Sequence, residues 1–364
     1  MTQLNVPVSG ESGKKGWKKL LSLAVKYLLP LLLTVALVWY MFEKVSFSDM
    51  IGILRGGVRY EWILLAMAIS VFSHIFRAMR WGLQLRGLGI NAPMMALCCS
   101  IFGTYALNLV FPRLGEVWRC AYISGREKAP FSTVLGSMVA DRLADTITVL
   151  LLTLAAFVIA HSAMASFLAK YPVGEDLLRL MADPLFWAAI AAACAAVFCV
   201  AHFGRNLGPV RKAKSLLREI WQGFIVVVKM KGRGRFLLLT LCIWSCYYLQ
   251  LYVAFYAFPF TAQLCGEPSL AWGLTPALVA FVLSSIGMAI PSNGGLGPWN
   301  IAVMFGLAIY GITDAQGTAF SMLVWSAQTV MLILLGIFTM IYISASRSRK
   351  DAVADGKASP DQNK

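Results

Sequence analysis

Apolar runs separated by short polar segments dominate the chain. The runs cover 20–42, 62–81, 93–111, 131–161, 185–203, 236–258, 274–290, 301–310 and 320–343. Most of them reach the roughly 20 apolar residues that an α-helix needs to cross a hydrocarbon core about 30 Å thick. The pattern predicts helices, because a lipid-facing backbone must satisfy its own N–H and C=O groups and a helix does so internally. Two places break the pattern. The first is Asn108-Leu109-Val110-Phe111-Pro112-Arg113-Leu114-Gly115-Glu116-Val117-Trp118-Arg119, and the second is Pro291-Ser292-Asn293-Gly294-Gly295-Leu296-Gly297-Pro298-Trp299-Asn300. Proline removes a backbone donor and glycine loosens the chain, so each stretch ends a helix. In a bilayer such broken backbone is tolerated only where protein buries it or a wet cavity satisfies it.

Charge orients the runs. Lys14, Lys15, Lys18 and Lys19 precede the first, whose bulky end at Trp39, Tyr40 and Phe42 lacks a small-residue cleavage site. That run reads as a membrane helix and not as a signal peptide. Arg77, Arg80 and Arg86 close the second run, and Arg347, Arg349 and Lys350 follow the last. Between 204 and 235 stand Arg205, Arg211, Lys212, Lys214, Arg218, Lys229, Lys231, Arg233 and Arg235 against the single acid Glu219. The positive-inside rule places these ends, and both termini, in the cytoplasm. Within the basic segment Leu216, Leu217, Ile220, Trp221, Phe224, Ile225 and Val228 recur at helical spacing, as in an amphipathic helix lying in the interface. Segments 43–61, 161–183 and 259–273 carry no basic excess and fit the outer side.

The first broken element is basic on both flanks, with Arg86 before it and Arg113, Arg119, Arg126 and Lys128 after it. The second is basic on neither. Each reads as a re-entrant helical element that enters and leaves on one side. Residues 20–161 and 185–343 then repeat the order span, span, re-entrant element, span in opposite orientation. An inverted-topology repeat brings such broken segments together near the midplane to form a substrate site. The expected fold class is all-α, a polytopic helical membrane protein of about six full spans plus two re-entrant helical elements. Its expected organisation is a polar tail at 1–19, one transmembrane domain at 20–345 and a disordered polar tail at 346–364.

Composition agrees: 59% of residues are hydrophobic, 13% are charged, and the mean hydropathy is +0.71. The formal charge of +15 flanks apolar runs, so it reads as membrane topology and not as a nucleic-acid surface. Cysteines such as Cys98, Cys99, Cys194, Cys199, Cys242 and Cys246 lie inside apolar segments without paired spacing and read as small buried hydrophobes. His74, His161 and His202 stand far apart near the ends of apolar runs and read as interface residues. No metal spacing and no cofactor motif emerge. Gly294-Gly295-Leu296-Gly297 lacks the preceding strand and the lysine of a nucleotide loop, though freed amides there could hold an anion.

The candidate site comes from charges at membrane depth, each costing roughly 2.5–3.5 kcal/mol on insertion scales unless paired or hydrated. Arg113, Glu116 and Arg119 recur every three residues, and Asp141 and Asp145 are four apart and flank Arg142. Arg77-x-x-Arg80-Trp81, Asn108 with Pro112, Arg113, Gly115, Glu116 and Arg119, then Asp141-Arg142-x-x-Asp145, then Pro291 with Gly294, Gly295 and Gly297, resemble the lysylphosphatidylglycerol synthase transmembrane family. That family comprises flippase-like proteins of bacteria and archaea. The resemblance covers about 20–345 and implies movement of aminoacylated or glycosylated lipids between leaflets. It implies a polar headgroup cavity built from those residues and Asn300. The family pattern has Glu at the positions of Asn300 and Asp141; the first change removes an acid and the second keeps one. About twenty residues follow the last span here, too few for the soluble aminoacyl-transferase domain of some relatives.

Two function classes follow from the residues. One is a flippase in the bacterial inner membrane, with the bilayer and a phosphate-bearing lipid as partners and with no nucleic acid. An oligomer, or a partner enzyme that supplies the lipid, is compatible with it. The other is a membrane-embedded enzyme acting on a polyprenyl-phosphate or glycolipid, with Asp141, Asp145 or Glu116 as base. Both readings require the basic 204–235 segment to be cytoplasmic. Single cysteines introduced there should resist an impermeant maleimide in intact cells and react after permeabilisation. Labelling in intact cells would sink the topology.

Overall fold

The computed structural model describes residues 47–111, 113–162 and 232–357, with isolated positions at 32, 35, 39, 183, 184, 188, 215, 218, 221 and 225. The runs 20–42 and 185–203, the amphipathic segment and Pro112 otherwise lie outside the described residues. Ten α-helices and no strand occur among the described residues. They are α1 (Phe47–Arg55), α2 (Tyr60–Gly87), α3 (Met94–Val110), α4 (Leu114–Glu127), α5 (Phe131–Ile159), α6 (Arg233–Phe255), α7 (Pro259–Gly266), α8 (Leu274–Gly287), α9 (Pro298–Ala308) and α10 (Asp314–Lys357). Short 3-10 turns occupy Pro268–Leu270 and Asn293–Gly295.

The all-α membrane fold is as the apolar runs predict. Five described stretches are long and apolar enough to cross a bilayer: Tyr60–Gly87, Phe131–Ile159, Arg233–Phe255, Pro268–Gly287 and Asp314–Ser346. The fourth differs from expectation in length, because the turn at Pro268–Leu270 leads into α8 and extends the apolar stretch of 274–290 at its N-terminal end. Helices α1 and α7 occupy segments that charge alone marks only as outer loops. Helix α10 continues beyond 343 to Lys357, where the sequence reads as a polar tail. No proline or glycine stands between Ser344 and Asp355, so nothing in the backbone chemistry stops it earlier.

Helix α2 joins two apolar cores. Its N-terminal half contributes Ile63, Ala66 and Met67 to a core with α6, α7, α8, α9 and α10. Its other half contributes Ala78, Trp81 and Leu85 to a core with α3, α4 and the start of α5. The most extensive helix contact is between α2 and α6. Helices α3 and α4 pack as a hairpin, as do α8 and α9; α10 lies on α3, and α5 lies on α8.

Each hairpin turns at one of the sequence breaks, and the two breaks touch. Arg113 takes a left-handed conformation, φ +63°, between α3 and α4. Gly294, Gly295 and Gly297 have φ of +59°, +82° and +90°, values that favour glycine. Asn293 Nδ2 donates to the Val110 carbonyl at 3.2 Å, and Arg113 Nη2 donates to the Ala289 carbonyl at 3.4 Å. Trp325 Nε1 of α10 donates to the Gly294 carbonyl at 2.9 Å, which fixes the second turn.

The α3–α4 hairpin closes through one backbone approach. Gly115 N–H donates to Asn108 Oδ1 at 2.9 Å, and Thr104 Oγ1 reaches the Gly115 carbonyl at 3.2 Å. A Cβ at Gly115 would collide with the backbone carbonyl of Thr104, whereas one at Gly125 meets open space. Gly115→Ala should therefore destabilise the protein by about 1–3 kcal/mol through forced separation of the helices. Gly125→Ala should not. Thermal unfolding of the two variants in detergent checks this, and equal midpoints would refute it.

Candidate functional site

Helix α2 carries a buried polar stripe at three- and four-residue spacing: Ser70, Ser73, His74, Arg77, Arg80 and Gln84. Opposite it α5 presents Asp141 and Asp145, one turn apart. Arg77 Nη1 stands 2.6 Å from Asp145 Oδ2 and 3.5 Å from Asp141 Oδ2. Arg80 Nη2 donates to Asp145 Oδ1 at 2.7 Å. The same nitrogen lies 2.7 Å from Asp141 Oδ1, off the line that a hydrogen bond needs. Helix α6 supports the arginines, since Thr240 Oγ1 accepts from Arg80 Nη1 at 3.1 Å and Tyr247 hydroxyl accepts from Arg77 Nε at 3.4 Å.

Helix α4 adds a third guanidinium. Arg119 is fully buried and lies 4.6 Å over the Trp81 ring, whose Nε1 donates to Ser137 Oγ at 3.0 Å. Arg119 Nη2 approaches Asp141 Oδ2 at 3.5 Å, yet none of its three nitrogens makes a directional hydrogen bond. Three guanidiniums thus face two carboxylates, 3 − 2, leaving a net charge of +1 in a largely buried interior.

The cluster opens toward a second pair. Arg142 Nη2 donates to Glu116 Oε1 at 2.8 Å, Asn108 Nδ2 donates to Glu116 Oε2 at 3.3 Å, and Arg142 Nη1 lies 4.0 Å from Asp145 Oδ2. Side-chain exposure rises from 0% at Arg80, Arg119 and Asp141 through 12% at Asp145 and 16% at Glu116 to 37% at Arg142. That gradient marks Arg142 as the accessible edge of the network.

The structure therefore brings together Arg77, Arg80, Asn108, Glu116, Arg119, Asp141, Arg142 and Asp145. It places Arg113 elsewhere. That side chain is exposed and reaches the second break, because α4 begins at Leu114 and the helical spacing from Glu116 and Arg119 does not extend back across the turn. Gly294, Gly295 and Gly297 shape the second break. Asn300 is buried at the third position of α9, and its Oδ1 accepts from the Gly297 N–H at 3.1 Å, so it caps that helix.

Sequence reasoning does not find Thr240, Tyr247, Tyr105 or Gln84. The period of the α2 stripe is the signal that could have found Gln84. His74 is corrected: it is buried mid-helix, not interfacial, with its ring 4.5 Å from that of Tyr105. Of the cysteines, Cys98 and Cys99 are buried, and Cys242 and Cys246 are half-buried.

Chemically, the network holds charge. Asp141 and Asp145 are each approached by three guanidiniums, so positive charge surrounds both carboxylates. The family model described as the lysylphosphatidylglycerol synthase TM region matches residues 27–336. The chain belongs to this family. A UPF0104 membrane protein of Pyrococcus horikoshii is 24% identical over 319 residues, spanning 82% of this chain and 91% of that one. Another, from Methanocaldococcus jannaschii, is 26% identical over 110 residues, 29% of this chain and 32% of the relative. The protein is thus a multi-pass membrane protein of a lipid-related family.

The charge balance sets a stability test. Asp145→Asn strips a counter-charge from Arg77 and Arg80 and should cost about 3–5 kcal/mol, as breaking a buried pair does. Arg119→Met brings the cluster to neutrality and should cost much less. Thermal unfolding in detergent orders the two; the reverse order would contradict the net positive assignment.

Proposed function

We propose that this protein is a flippase-like carrier that moves a phosphate-bearing lipid, aminoacylated or glycosylated, between the leaflets of a bacterial inner membrane. The observation that carries the reading is the buried cluster with its uncompensated +1 charge and its one accessible arginine, Arg142. A buried excess cation attracts an anion strongly at low dielectric. Arg142 offers a guanidinium fork for a headgroup phosphate, and the cluster behind it supplies the field.

The helix lengths support re-entrant elements. Helices α4 and α9 have 14 and 11 residues, roughly 21 and 16 Å at 1.5 Å per residue, short of a core about 30 Å thick. The packing supports an inverted repeat. The pairs α2–α3, α3–α4 and α4–α5 answer to α6–α8, α8–α9 and α9–α10, while α10 on α3 answers to α5 on α8. In that reading both termini are cytoplasmic. The touching breaks lie where the halves meet, as the carrier architecture requires.

Leaflet-resolved lipid composition, compared between cells with and without the protein, tests the function. A changed sidedness with an unchanged inventory is expected; a changed inventory would favour the enzyme. Arg142→Lys keeps the charge but loses the fork, and should lower transport of the identified lipid about tenfold or more at normal expression. Transport at the wild-type rate would remove Arg142 from the site.

A further inference from the structure

A second anion-binding place lies outside the central network, at the end of the bundle that carries Arg86 and Arg235. There α2, α3 and α6 line an open groove of about 450 Å³. Leu83, Leu97, Leu238 and Leu239 form its apolar wall, and Arg86 and Arg235 stand among the lining residues. Among the described residues neither arginine has an acidic partner. Helix α6 begins here, with Arg233 and Arg235 in its first turn, no acid there and no side-chain cap. Cations at the positive pole of a helix dipole are unfavourable, and an anion between them reverses the sign.

We infer that this groove holds a diacyl phospholipid, with its phosphate between Arg86 and Arg235 and an acyl chain along the leucine wall. The lining selects this occupant: a free phosphate would gain nothing from four leucines, whereas a phospholipid matches both the charge and the apolar surface. The groove also falls within the roughly 300–1,000 Å³ of small-molecule sites.

The groove and the central network are built on the same two helices, α2 and α6. Arg80 lies 5.3 Å over the ring of Phe236, next in sequence to Arg235, and donates to Thr240 one turn further along α6. Arg86 follows Arg80 by six residues, roughly 9 Å along the helix. The groove is thus a staging place from which a lipid of the basic, cytoplasmic side reaches the carrier site. That role rests on the proposed function; the lipid binding does not.

The test uses the full chain, purified in detergent, and native mass spectrometry with three probes: phosphatidylglycerol, diacylglycerol and inorganic phosphate. Wild type should bind phosphatidylglycerol about tenfold more tightly than diacylglycerol, the worth of one or two charge-assisted bonds. The double variant Arg86→Gln/Arg235→Gln should lose that margin. Leu83→Trp fills the groove without touching charge, and should displace the lipid as well. Wild-type binding in both variants, equal binding of diacylglycerol, or displacement of the lipid by inorganic phosphate at equal concentration would overturn the proposal. If the protein binds phosphatidylglycerol here yet moves no lipid in the leaflet assay, the carrier reading falls and the groove stands.

Discussion

Charge buried in an apolar bundle must be matched by charge, and this requirement governs how the helices meet. Arg77 and Arg80 on α2 cannot sit in a hydrocarbon environment without Asp141 and Asp145 on α5. The short pairs fix the rotation of α2 against α5, and Thr240 and Tyr247 fix α6 against the same arginines. Trp81 follows Arg80 in sequence, and its ring carries Arg119 from α4. One set of ion pairs thus ties four helices together where the hydrophobic effect gives little direction, since lipid tails are as apolar as the side chains.

The helix breaks are legible in the sequence because proline and glycine act locally. Run 93–111 corresponds to α3 (Met94–Val110) and run 131–161 to α5 (Phe131–Ile159). The acidic pair on α5 is legible for the same reason, as a four-residue spacing inside one helix is preserved on folding. Arg113 shows where such reasoning stops, since a spacing counted across a left-handed residue has no helical meaning. Thr240 and Tyr247 are illegible for another reason: neutral polar residues are common in membrane helices, and only their distance to a guanidinium marks them. His74 stands in an apolar run like many histidines, and its neighbour Tyr105 lies on another helix.

Asn300 illustrates a residue under two demands. At the third position of α9 its side-chain oxygen satisfies the N–H of Gly297, the job that Glu does at this position in a capping box. The acid that the family pattern has here and the amide of this chain both supply that oxygen, so the fold tolerates the exchange. What changes is charge. The amide contributes no negative potential to the interior of α9, and the nearest counter-charges to the arginine cluster are those of α5 and Glu116. In the proposed carrier, a cationic headgroup would lose a partner by this exchange, and a phosphate would lose a repeller.

The two kinds of contact in this protein differ in strength, and the difference locates its compliance. Within the cluster, ion pairs at 2.6 and 2.7 Å are largely buried and break only by stranding a buried charge. Between the two helix breaks, the contacts are neutral or solvent-exposed hydrogen bonds at 3.2 and 3.4 Å to the carbonyls of Val110 and Ala289. Such bonds exchange readily with water and contribute about 0.5–1.5 kcal/mol each, less where they are exposed. Separating the α3–α4 turn from the α8–α9 turn therefore costs far less than separating α2 from α5. In the proposed carrier, a headgroup at Arg142 would meet a charged floor held by buried ion pairs, while the weaker bonds between the two turns supply the part that can move.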